Sequence, residues 1–512
     1  MVHHDYDLCV IGGGINGAAI ARDAAGRGLS VLLVEAGDIA SATSSASTKL
    51  IHGGLRYLEY LEFGLVRESL KERETLMRTA PHMVRPMEFV LPHDESMRPA
   101  WMIRLGMFLY DHLGGSRKVA GSRAIELKTH AYGKILKDGH EKGFIYSDCQ
   151  TDDARLTVLN VIDAAERGAK VLTRTACTRL RCDGDFWTVS LRDLAGGRER
   201  DVQVAMVINA AGPWVRGVLE ASDLALEGAG VPNVRLVKGS HIVVPRRYEG
   251  DHAYLLQQKD RRVVFVIPYE GDFTLIGTTE VDFQGDPITA RISPEETDYL
   301  CAAYNESFSE PVTKDDVIWA YSGVRALFDD GKGNPTTASR DYKLYRHKDM
   351  QAPMISVFGG KLTTHRRLAQ DAVSKILKMA GRPGAAWTCA HALPGGDTGD
   401  FSEFMQAQAK KYPWLPDDLL KRYGRSYGTR MDKFLDGSAS LGDLGKNYGD
   451  GIYEAEIVYM ARYEWARTAE DVLWRRSKLG LRASPATEKN LAAAIQSMNK
   501  EEEGGNEKSS GH

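Results

Sequence analysis

The apolar and polar residues of the chain follow three successive patterns. Near the N-terminus, short apolar runs at residues 8–11 and 31–34 flank an alanine-rich stretch that begins after several glycines. A buried strand, a helix and a second buried strand are typical of a parallel βαβ unit. From Val234 the runs are short, β-rich and separated by turns without helices between them, which predicts an antiparallel sheet. Residues 401–491 then carry apolar positions at helical spacing, which predicts a helical domain.

These patterns predict an α/β fold with α+β inserts. A Rossmann-like nucleotide-binding domain would be interrupted by a substrate-binding domain with a mixed or antiparallel sheet, and a C-terminal helical domain would follow. The expected bounds are 1–77, 147–215 and 350–387 for the nucleotide-binding domain, 78–146 and 216–349 for the inserted domain, 388–499 for the helical domain, and 500–512 for a polar, disordered tail.

Several runs also predict single elements. Residues 61–77 predict an amphipathic helix, and residues 99–115 predict a helix that is apolar nearly all round. Residues 170–180 alternate between apolar and polar positions and predict one strand. In the C-terminal domain, residues 455–465 and 470–481 each predict a helix.

The glycine-rich turn after the first strand carries the clearest chemical signal. In the sequence Gly-Gly-Gly-Ile-Asn-Gly, Gly12 permits a tight turn, Gly14 lets the backbone approach a pyrophosphate, and Gly17 lets helix and strand pack closely. The helix N-terminus then offers N–H groups and a partial positive charge to the phosphates. Glu35, at the end of the second strand, occupies the position of a carboxylate that accepts ribose hydroxyls. Because that carboxylate disfavours a 2′-phosphate, we expect FAD or NAD rather than NADP.

Composition narrows the class of protein. The 512 residues suffice for two or three domains, and 43% hydrophobic and 26% charged residues are typical of a soluble globular protein. The net charge of −3 gives no basic signal for nucleic acid. The six cysteines lack CxxC or metal-ligand spacing, which suits reduced thiols in the cytoplasm and predicts no metal site. We also expect no signal peptide and no membrane-spanning helix.

Three more segments suggest contact with the same nucleotide. Residues 206–214 form an apolar strand that ends in Asn-Ala-Ala-Gly-Pro-Trp, and residues 354–372 form a strand, a Gly-Gly-Lys turn and a helix. A stretch of small and hydroxyl residues at 39–47 leads to a second Gly-Gly pair beside His52. Small side chains after a strand leave room for the backbone to contact a cofactor. Separate glycine-rich joints suit one long, enclosed FAD better than an exchangeable nicotinamide.

The segments IGGGINGAAIARDAAGRGLSVLLVE and ATSSASTKLIHGGLRYLE resemble the FAD-dependent sn-glycerol-3-phosphate dehydrogenases of the aerobic, respiratory type, within the amino-acid-oxidase-like flavoproteins. The motifs NAAGPW and LWRRSKLGL also match that family, so the resemblance covers nearly the whole chain. It implies FAD as the cofactor. The residues expected to bind FAD are Gly12, Gly14, Asn16, Gly17, Glu35, Thr43, Ser44, Ser45, Lys49, Leu50, His52, Gly53, Gly54, Ala211, Gly212, Trp214, Gly360, Lys361, Leu362 and Thr363.

The resemblance implies oxidation of glycerol 3-phosphate to dihydroxyacetone phosphate, with a hydride passing from C2 to flavin N5. The phosphate dianion needs cationic donors, which arginine offers in a plane and lysine as a point charge. By their match to the family's motifs, the substrate-binding residues are Arg56, Tyr57, Arg340 and Lys361, with Arg325 in SGVR as a further phosphate ligand. His241 in KGSHIVV is the candidate base, because imidazole accepts a proton near neutral pH. Alternatively, Arg325 stabilises the alkoxide and water takes the proton.

The resemblance further implies that electrons pass to a membrane quinone and that the protein is cytoplasmic and peripheral on the inner face of the cell membrane. The apolar helix at 99–115 suits either a membrane surface or a buried core position. The oligomeric state stays open, a homo-oligomer included. Two other functions compete. One is an oxidase that uses O2 and releases peroxide, and the other is a flavin-binding regulatory protein without turnover, against which the cationic cluster argues.

Overall fold

The structure is a computed structural model that describes residues 4–94, 98–115, 118–222, 232–260, 262–329, 341–348 and 350–509. Its strands are β1 (Tyr6–Ile11), β2 (Val31–Val34), β3 (Leu50–Ile51), β4 (Arg85–His93), β5 (Arg123–Glu126), β6 (Lys142–Gln150), β7 (Lys170–Leu172), β8 (Thr175–Cys182), β9 (Trp187–Asp193), β10 (Glu199–Asn209), β11 (Asn233–Pro245), β12 (Ala253–Gln257), β13 (Val263–Tyr269), β14 (Phe273–Gly277), β15 (Val281–Asp282), β16 (Trp319–Asp329), β17 (Lys343–Arg346) and β18 (Met354–Phe358). The α-helices are α1 (Ile15–Gly26), α2 (Phe63–Thr79), α3 (Ala100–Leu113), α4 (Asp153–Glu166), α5 (Val215–Glu220), α6 (Pro294–Ser307), α7 (His365–Met379), α8 (Phe401–Lys411), α9 (Asp417–Tyr427), α10 (Asp432–Leu435), α11 (Glu454–Glu464) and α12 (Pro485–Ser509).

The first sheet brings the cofactor motifs to one edge. Its strands run in the order β17-β18-β10-β1-β2-β7, parallel except for the antiparallel β17, and the β8–β9 hairpin extends from β10. Ile11 at the end of β1 pairs with Val34 of β2 on one side and Asn209 of β10 on the other. The glycine turn, Glu35 and residues 210–214 therefore leave the sheet side by side. Helices α4 and α7 pack against α1, which explains why β1 and β2 are buried and apolar.

The second sheet lies across the ends of these segments. Its order is β15-β11-β14-β13-β12-β4-β6-β3, with β16 on β11 and β5 on β6. All pairs are antiparallel except β12 with β4. Helix α6 covers one face and begins with a capping box between Ser293 and Glu296. The predicted combination of a Rossmann-like sheet with a mixed, mainly antiparallel sheet is confirmed.

The C-terminal helices have a core of their own. It is rich in tyrosine and includes Tyr423, Tyr427 and Ile457, each fully buried. Glu456, also buried, accepts from both Arg422 (2.6 Å) and the Tyr427 hydroxyl (2.7 Å). Such satisfied buried charges indicate a rigid unit, because a buried carboxylate without partners would be costly.

Three local predictions differ from the structure. The run 170–180 forms two strands, because the chain turns at Arg174, whose φ is +52° and whose guanidinium binds Asp471 at 2.6 Å. The run 470–481 forms a π-helix, Asp471–Arg476, and a 3-10 helix, Leu479–Leu481, instead of one α-helix. The tail from residue 500 continues α12 to Ser509, since extending an existing helix needs no new nucleation.

The domain bounds stay a prediction, but the pairing of β17 and β6 does not follow them. Strand β17, which the prediction assigns to the inserted domain, pairs with β18 in the first sheet. Strand β6 runs across the expected boundary at 146/147, and β3 pairs with it in the second sheet. The hydrogen bonds between strands decide to which sheet β17 and β6 belong, and the hydrophobic pattern of the sequence does not reveal those bonds.

Candidate active site

A cavity of about 960 Å³ lies between the two sheets, at the edge where the cofactor motifs meet. Twenty of the predicted site residues line it. They are Gly12, Gly14, Asn16, Glu35, Thr43, Ser44, Leu50, His52, Gly54, Arg56, Tyr57, Ala211, Gly212, Trp214, His241, Arg325, Gly360, Lys361, Leu362 and Thr363. Residues far apart in sequence therefore converge on one volume.

The glycine turn has the geometry expected of a nucleotide loop. Gly12 has a φ of +110°, and a Cβ there would lie 2.6 Å from the carbonyl oxygen of Ala210. A Cβ at Gly17 would overlap the carbonyl oxygen of Gly12, so Gly17 serves the packing of α1 on the turn and does not itself line the cavity. The Ile15 N–H at the start of α1 donates to Ser44 Oγ at 2.9 Å, which ties the predicted hydroxyl-rich loop to the helix N-terminus.

Glu35 lies at the cavity wall with its carboxylate turned toward the turn. It accepts from the backbone N–H of Gly13 at 2.5 Å and of Gly37 at 2.7 Å. Burial raises the pKa of this carboxyl, and the two N–H donors oppose that rise. Glu35 thus holds the loop in place, and a ribose contact stays a prediction.

Three other predicted cofactor residues do not line the cavity. Lys49 is buried behind the loop, where its ammonium binds Asp153 at 2.7 Å and the carbonyl oxygen of Ser45 at 2.8 Å. Gly53 faces the protein interior, where its N–H donates to the Tyr110 hydroxyl at 2.8 Å. The motif suggested direct contact at Ser45, Lys49 and Gly53, but these residues shape the loop from outside. Arg340 lies outside the described residues.

The last strand–glycine–helix joint closes one side of the cavity. Asn16 Nδ2 donates to the carbonyl oxygen of Gly359 at 3.2 Å, which connects the first and third glycine turns. The Thr363 hydroxyl accepts from the N–H of His52 at 3.1 Å and thereby joins the loop after β3 to the start of α7. Asn16 Oδ1 is buried without a hydrogen-bond partner among the described residues. It is an acceptor available to a ligand in the cavity.

His241 is buried on β11 and held on two sides. Its Nε2 lies 2.9 Å from Thr48 Oγ1, and its ring stacks on Tyr321 with a centroid distance of 4.8 Å. Within the described part of the chain, Nδ1 has no hydrogen-bond partner. Burial, together with the cations Lys49 and Arg325, holds the pKa of His241 well below its usual value. The imidazole is therefore neutral near pH 7 and able to accept a proton.

Cationic side chains surround the same region. Arg56, Arg325 and Lys361 line the cavity as predicted, and Arg262 joins them. Arg325 lies 3.7 Å from Glu280, and the Lys361 ammonium lies 3.8 Å from the centroid of the Tyr57 ring. These side chains supply the planar and point-charge donors that a phosphate dianion needs.

Sequence reasoning missed several cavity residues. Arg262 lines the cavity, follows a short polar turn before β13 and pairs with Asp260 at 2.6 Å. In the sequence alone, an arginine in a polar turn is typical of a solvent-exposed residue. Asp148 lies on β6, where it accepts from the Tyr110 hydroxyl at 2.7 Å and from Arg73 at 2.9 Å. An acid within an apolar strand was the one available signal for Asp148.

The residues present fit FAD. The cavity is lined by three glycine-rich turns, the loop at 42–50 and the cationic side chains. At the glycines of these turns, only backbone faces an extended ligand, where a larger side chain would block it. The unsatisfied Asn16 oxygen and the α1 N-terminus supply polar groups along its wall. Gly12, Gly14, Asn16 and the 42–48 loop would hold the nucleotide and ring.

Two further searches bear on the chemistry. Among the described residues, no group of three or more His, Cys, Asp or Glu side chains is arranged to hold a metal ion. No helix within the described ranges combines the length and apolarity needed to cross a membrane.

Comparison with known proteins adds independent evidence. Residues 7–349 match the family model "FAD dependent oxidoreductase", and residues 386–508 match "C-terminal domain of alpha-glycerophosphate oxidase". The chain is 48% identical to a D-erythritol 1-phosphate dehydrogenase of Brucella abortus, over 92% of this chain and 94% of that protein. It is also 48% identical to a glycerol-3-phosphate dehydrogenase of Pseudomonas aeruginosa, over 96% and 95%. For the aerobic glycerol-3-phosphate dehydrogenase of Escherichia coli, the identity is 47% over 93% and 94%.

A solved structure agrees with these matches. The glycerol-3-phosphate dehydrogenase of Bacillus halodurans complexed with FAD superposes with a TM-score of 0.75 at 29% identity, covering 92% of this chain and 86% of that one. The predicted cofactor, FAD, is thereby confirmed. The chain belongs to the FAD dependent oxidoreductase family and, within it, to the FAD-dependent glycerol-3-phosphate dehydrogenases.

Proposed function

We propose that this enzyme oxidises sn-glycerol 3-phosphate to dihydroxyacetone phosphate and passes the electrons to a membrane quinone. The observation that carries the proposal is that the buried His241 lines the same cavity as the cations Arg325, Arg56 and Lys361. A secondary alcohol that carries a phosphate needs both features, a proton acceptor and a dianion site. The relatives with dehydrogenase names support the same reaction.

The residues of this chain divide the chemistry between them. Arg56, Lys361 and Arg325 bind the phosphate and orient C2, with Tyr57 beneath Lys361. His241 accepts the hydroxyl proton at the ring nitrogen that carries no proton, and the contact of Nε2 with Thr48 Oγ1 holds the ring. When bound, FAD supplies the acceptor for the hydride that leaves C2. If water takes the proton instead, Arg325 stabilises the alkoxide.

An exposed apolar surface supports peripheral binding to the cytoplasmic face of the membrane. On α3, Trp101, Leu105 and Phe108 are 65%, 50% and 53% exposed, while Met107 and Tyr110 on the opposite side are buried. The adjoining turn after the 3-10 helix Leu55–Tyr60 adds Leu61, which is 73% exposed. We call Leu61, Trp101, Leu105 and Phe108 the α3 patch. Large apolar side chains grouped in water favour a lipid surface over solvent.

The patch lies close to the active site in sequence and in space. The same 3-10 helix that ends beside Leu61 carries Arg56 and Tyr57 of the cavity, and it contacts α3. A hydrophobic acceptor dissolved in the membrane would therefore be close to the FAD cavity. This proximity supports a quinone over O2 as the acceptor.

One experiment separates the candidate functions. Purified, FAD-loaded protein is titrated anaerobically with glycerol 3-phosphate while the visible flavin spectrum is recorded, and a soluble quinone is then added. We expect bleaching by the substrate and recovery of the oxidised spectrum with quinone. Glycerol without phosphate is the matched control and should leave the flavin oxidised. A flavin that stays oxidised with every polyol phosphate would indicate a regulatory protein.

Two further arms test the substrate and the acceptor. D-erythritol 1-phosphate is included because a relative named for it is as similar as the glycerol-3-phosphate dehydrogenases. Faster bleaching with the four-carbon substrate would overturn glycerol 3-phosphate as the preferred substrate. Stoichiometric peroxide on admission of air, with slow quinone reduction, would identify an oxidase instead.

A further inference from the structure

One segment of the C-terminal domain, residues 471–478, contacts residues that lie next to the cavity lining. It consists of the π-helix Asp471–Arg476 and the two residues after it. π-Helical turns are rare and frequently occur at functional sites. We propose that the 471–478 segment is a positioning element, which holds the two FAD-lining loops and the aromatic stack behind His241. The proposal rests on the FAD site and not on the identity of the substrate.

The first contact is made with the loop that follows Glu35. Arg476 is fully buried and donates from Nη1 and Nη2 to the two carboxylate oxygens of Asp38, at 2.6 and 2.7 Å. Arg475 Nε donates to the same carboxylate at 2.6 Å. Gly37 and Ala40, on either side of Asp38, line the cavity. A bidentate arginine fixes both position and orientation, so this loop is anchored by the C-terminal domain.

The second contact is made with the N-terminus of α4, which in turn holds the loop that contains residues 42–50. Lys478 is buried, and its ammonium lies 2.9 Å from Asp152 at the N-terminus of α4. The neighbouring Asp153 accepts from the Ser47 N–H at 3.0 Å and from Lys49 at 2.7 Å. Ser47 lines the cavity. Asp152 and Asp153 are adjacent and are each paired with one lysine, Lys478 and Lys49. Losing either lysine would leave a carboxylate without its partner, which is costly away from water.

The third contact is aromatic and ends at the candidate base. Trp474 stacks on Trp319 with a centroid distance of 4.4 Å and an interplanar angle of 23°. Trp319 lies 4.9 Å from Tyr321, whose ring stacks on His241 at 4.8 Å. The Tyr321 hydroxyl also donates to the carbonyl oxygen of Ser47 at 2.8 Å. The position of the His241 ring is thus connected, ring by ring, to Trp474.

All three contacts come from eight consecutive residues and serve three different parts of one site. Its direct partners are Asp38 in one cofactor loop, Asp152 on the helix that holds the other, and Trp319 in the aromatic stack behind His241, which is more than domain packing requires. The C-terminal domain would accordingly determine how tightly FAD is held and how His241 is oriented. It does so without contributing a residue to the described cavity lining.

The test measures the dissociation constant of FAD by titrating the stripped protein, with its thermal midpoint recorded in parallel. The variants are Arg476→Met and Lys478→Met. Arg422→Met is the matched control, since the partly buried Arg422 also donates to a buried carboxylate, that of Glu456, but within the C-terminal domain. We expect FAD affinity to fall by about tenfold or more in the two test variants, because Asp38 loses its bidentate partner and keeps only Arg475, while Asp152 loses the ammonium of Lys478. The control should hold FAD as the unchanged protein does, even where its thermal midpoint falls.

The outcomes decide the proposal. Equal FAD affinity in test and control variants, or losses that merely follow the thermal midpoints, would overturn it. If a methionine variant does not fold, Arg476→Lys and Lys478→Arg replace it and face the same comparison with the control. Trp474→Ala should shift the pH profile of substrate-driven flavin reduction, and Trp474→Phe should restore it. A Trp474→Ala profile identical to the unchanged protein would remove the link to His241. Because FAD affinity is measured without substrate, its result does not depend on the proposed reaction.

Discussion

His241 illustrates how position changes the chemistry of a single residue. In water an imidazole titrates near neutral pH and is charged part of the time. Here burial and two nearby cations lower its pKa well below that range, so the ring is neutral where the enzyme works. A buried ring nitrogen without a hydrogen bond costs stability, and Nδ1 has no partner within the described residues. A purely structural role would not explain that cost. The ring is thus in the unprotonated state that a proton acceptor needs, and the negative charge of a bound phosphate would offset the cations that disfavour its protonation.

Replacing His241 by alanine should slow flavin reduction in a single turnover by about 10²-fold or more, the usual contribution of a positioned base. The rate of the variant should rise with pH, because hydroxide then replaces the imidazole. In the unchanged protein the rate should show no inflection near pH 6.5, as the pKa of His241 lies well below that value. Stopped-flow absorbance over a range of pH measures all three.

Arg325→Ala provides the comparison. Loss of the guanidinium should weaken substrate binding as well as the rate, because Arg325 lines the cavity as a phosphate donor. An unimpaired reduction rate in His241→Ala, together with a slow Arg325→Ala, would show that Arg325 stabilises the alkoxide while water takes the proton.

At the scale of an element, α3 shows how one helix faces two environments. Tyr110 on its buried side donates to Asp148, which lines the cavity, and accepts from the Gly53 N–H. Trp101, Leu105 and Phe108 follow at i, i+4 and i+7 on the other side and are exposed. A helix apolar nearly all round suits either a core or a lipid surface, and the exposed face favours the second.

Replacing Trp101, Leu105 and Phe108 together by serine should abolish sedimentation with phospholipid vesicles, because the apolar area that enters the interface is lost. The flavin spectrum and the thermal midpoint should stay unchanged, since none of the three packs in the core. Val458→Ser, at another exposed apolar position, is the control and should sediment normally. Undiminished vesicle binding by the triple variant would contradict the α3 patch as the membrane contact.

At the scale of the whole molecule, one buried and one partly exposed ion pair hold the C-terminal domain against the nucleotide-binding domain. Arg155 of α4 pairs with Glu464 at 2.5 Å, and Arg430 pairs with Glu166 at 2.7 Å. His82, fully enclosed near this junction, lies close to Arg155 and has a pKa lowered to about 3 by burial and by that cation. Both of its ring nitrogens are buried without partners among the described residues. The junction therefore depends on a histidine that must stay neutral.

This arrangement predicts acid sensitivity. The unfolded chain binds a proton at His82 below its ordinary pKa of 6.5, whereas the folded protein does not until about pH 3. Stability is therefore lost as pH falls through this window, by about 1.4 kcal/mol per unit, or about 2 kcal/mol between pH 7 and pH 5. Between pH 7 and pH 5, the free energy of unfolding of His82→Leu should therefore fall by about 2 kcal/mol less than that of the unchanged protein. Urea unfolding of the FAD-loaded proteins at the two pH values measures the difference. Equal slopes in both proteins would contradict the assignment.

Much of the site was accessible from sequence because its motifs are local. The turn that begins at Gly12, the Ala211–Trp214 turn and the Gly359–Lys361 turn each follow an apolar strand, and each contributes residues to the cavity lining. Lys49 was misassigned because a motif gives proximity but not direction, and its side chain turns to Asp153 in the protein interior. Arg262 and Asp148 were missed because neither stands in a motif, and only the pairing of strands brings them to the cavity.

By itself, the sequence determined the class of fold and a dinucleotide site, since these depend on residue spacing within single segments, and its resemblance to a known family implied FAD and the chemical type of the site. The tertiary structure decided which side chains meet. The contact of Arg476 with Asp38 joins residues 438 positions apart, and the stack from Trp474 to His241 crosses two domains. Such contacts arise from packing and from the pairing of buried charges over long sequence distances. Local periodicity carries no information about them.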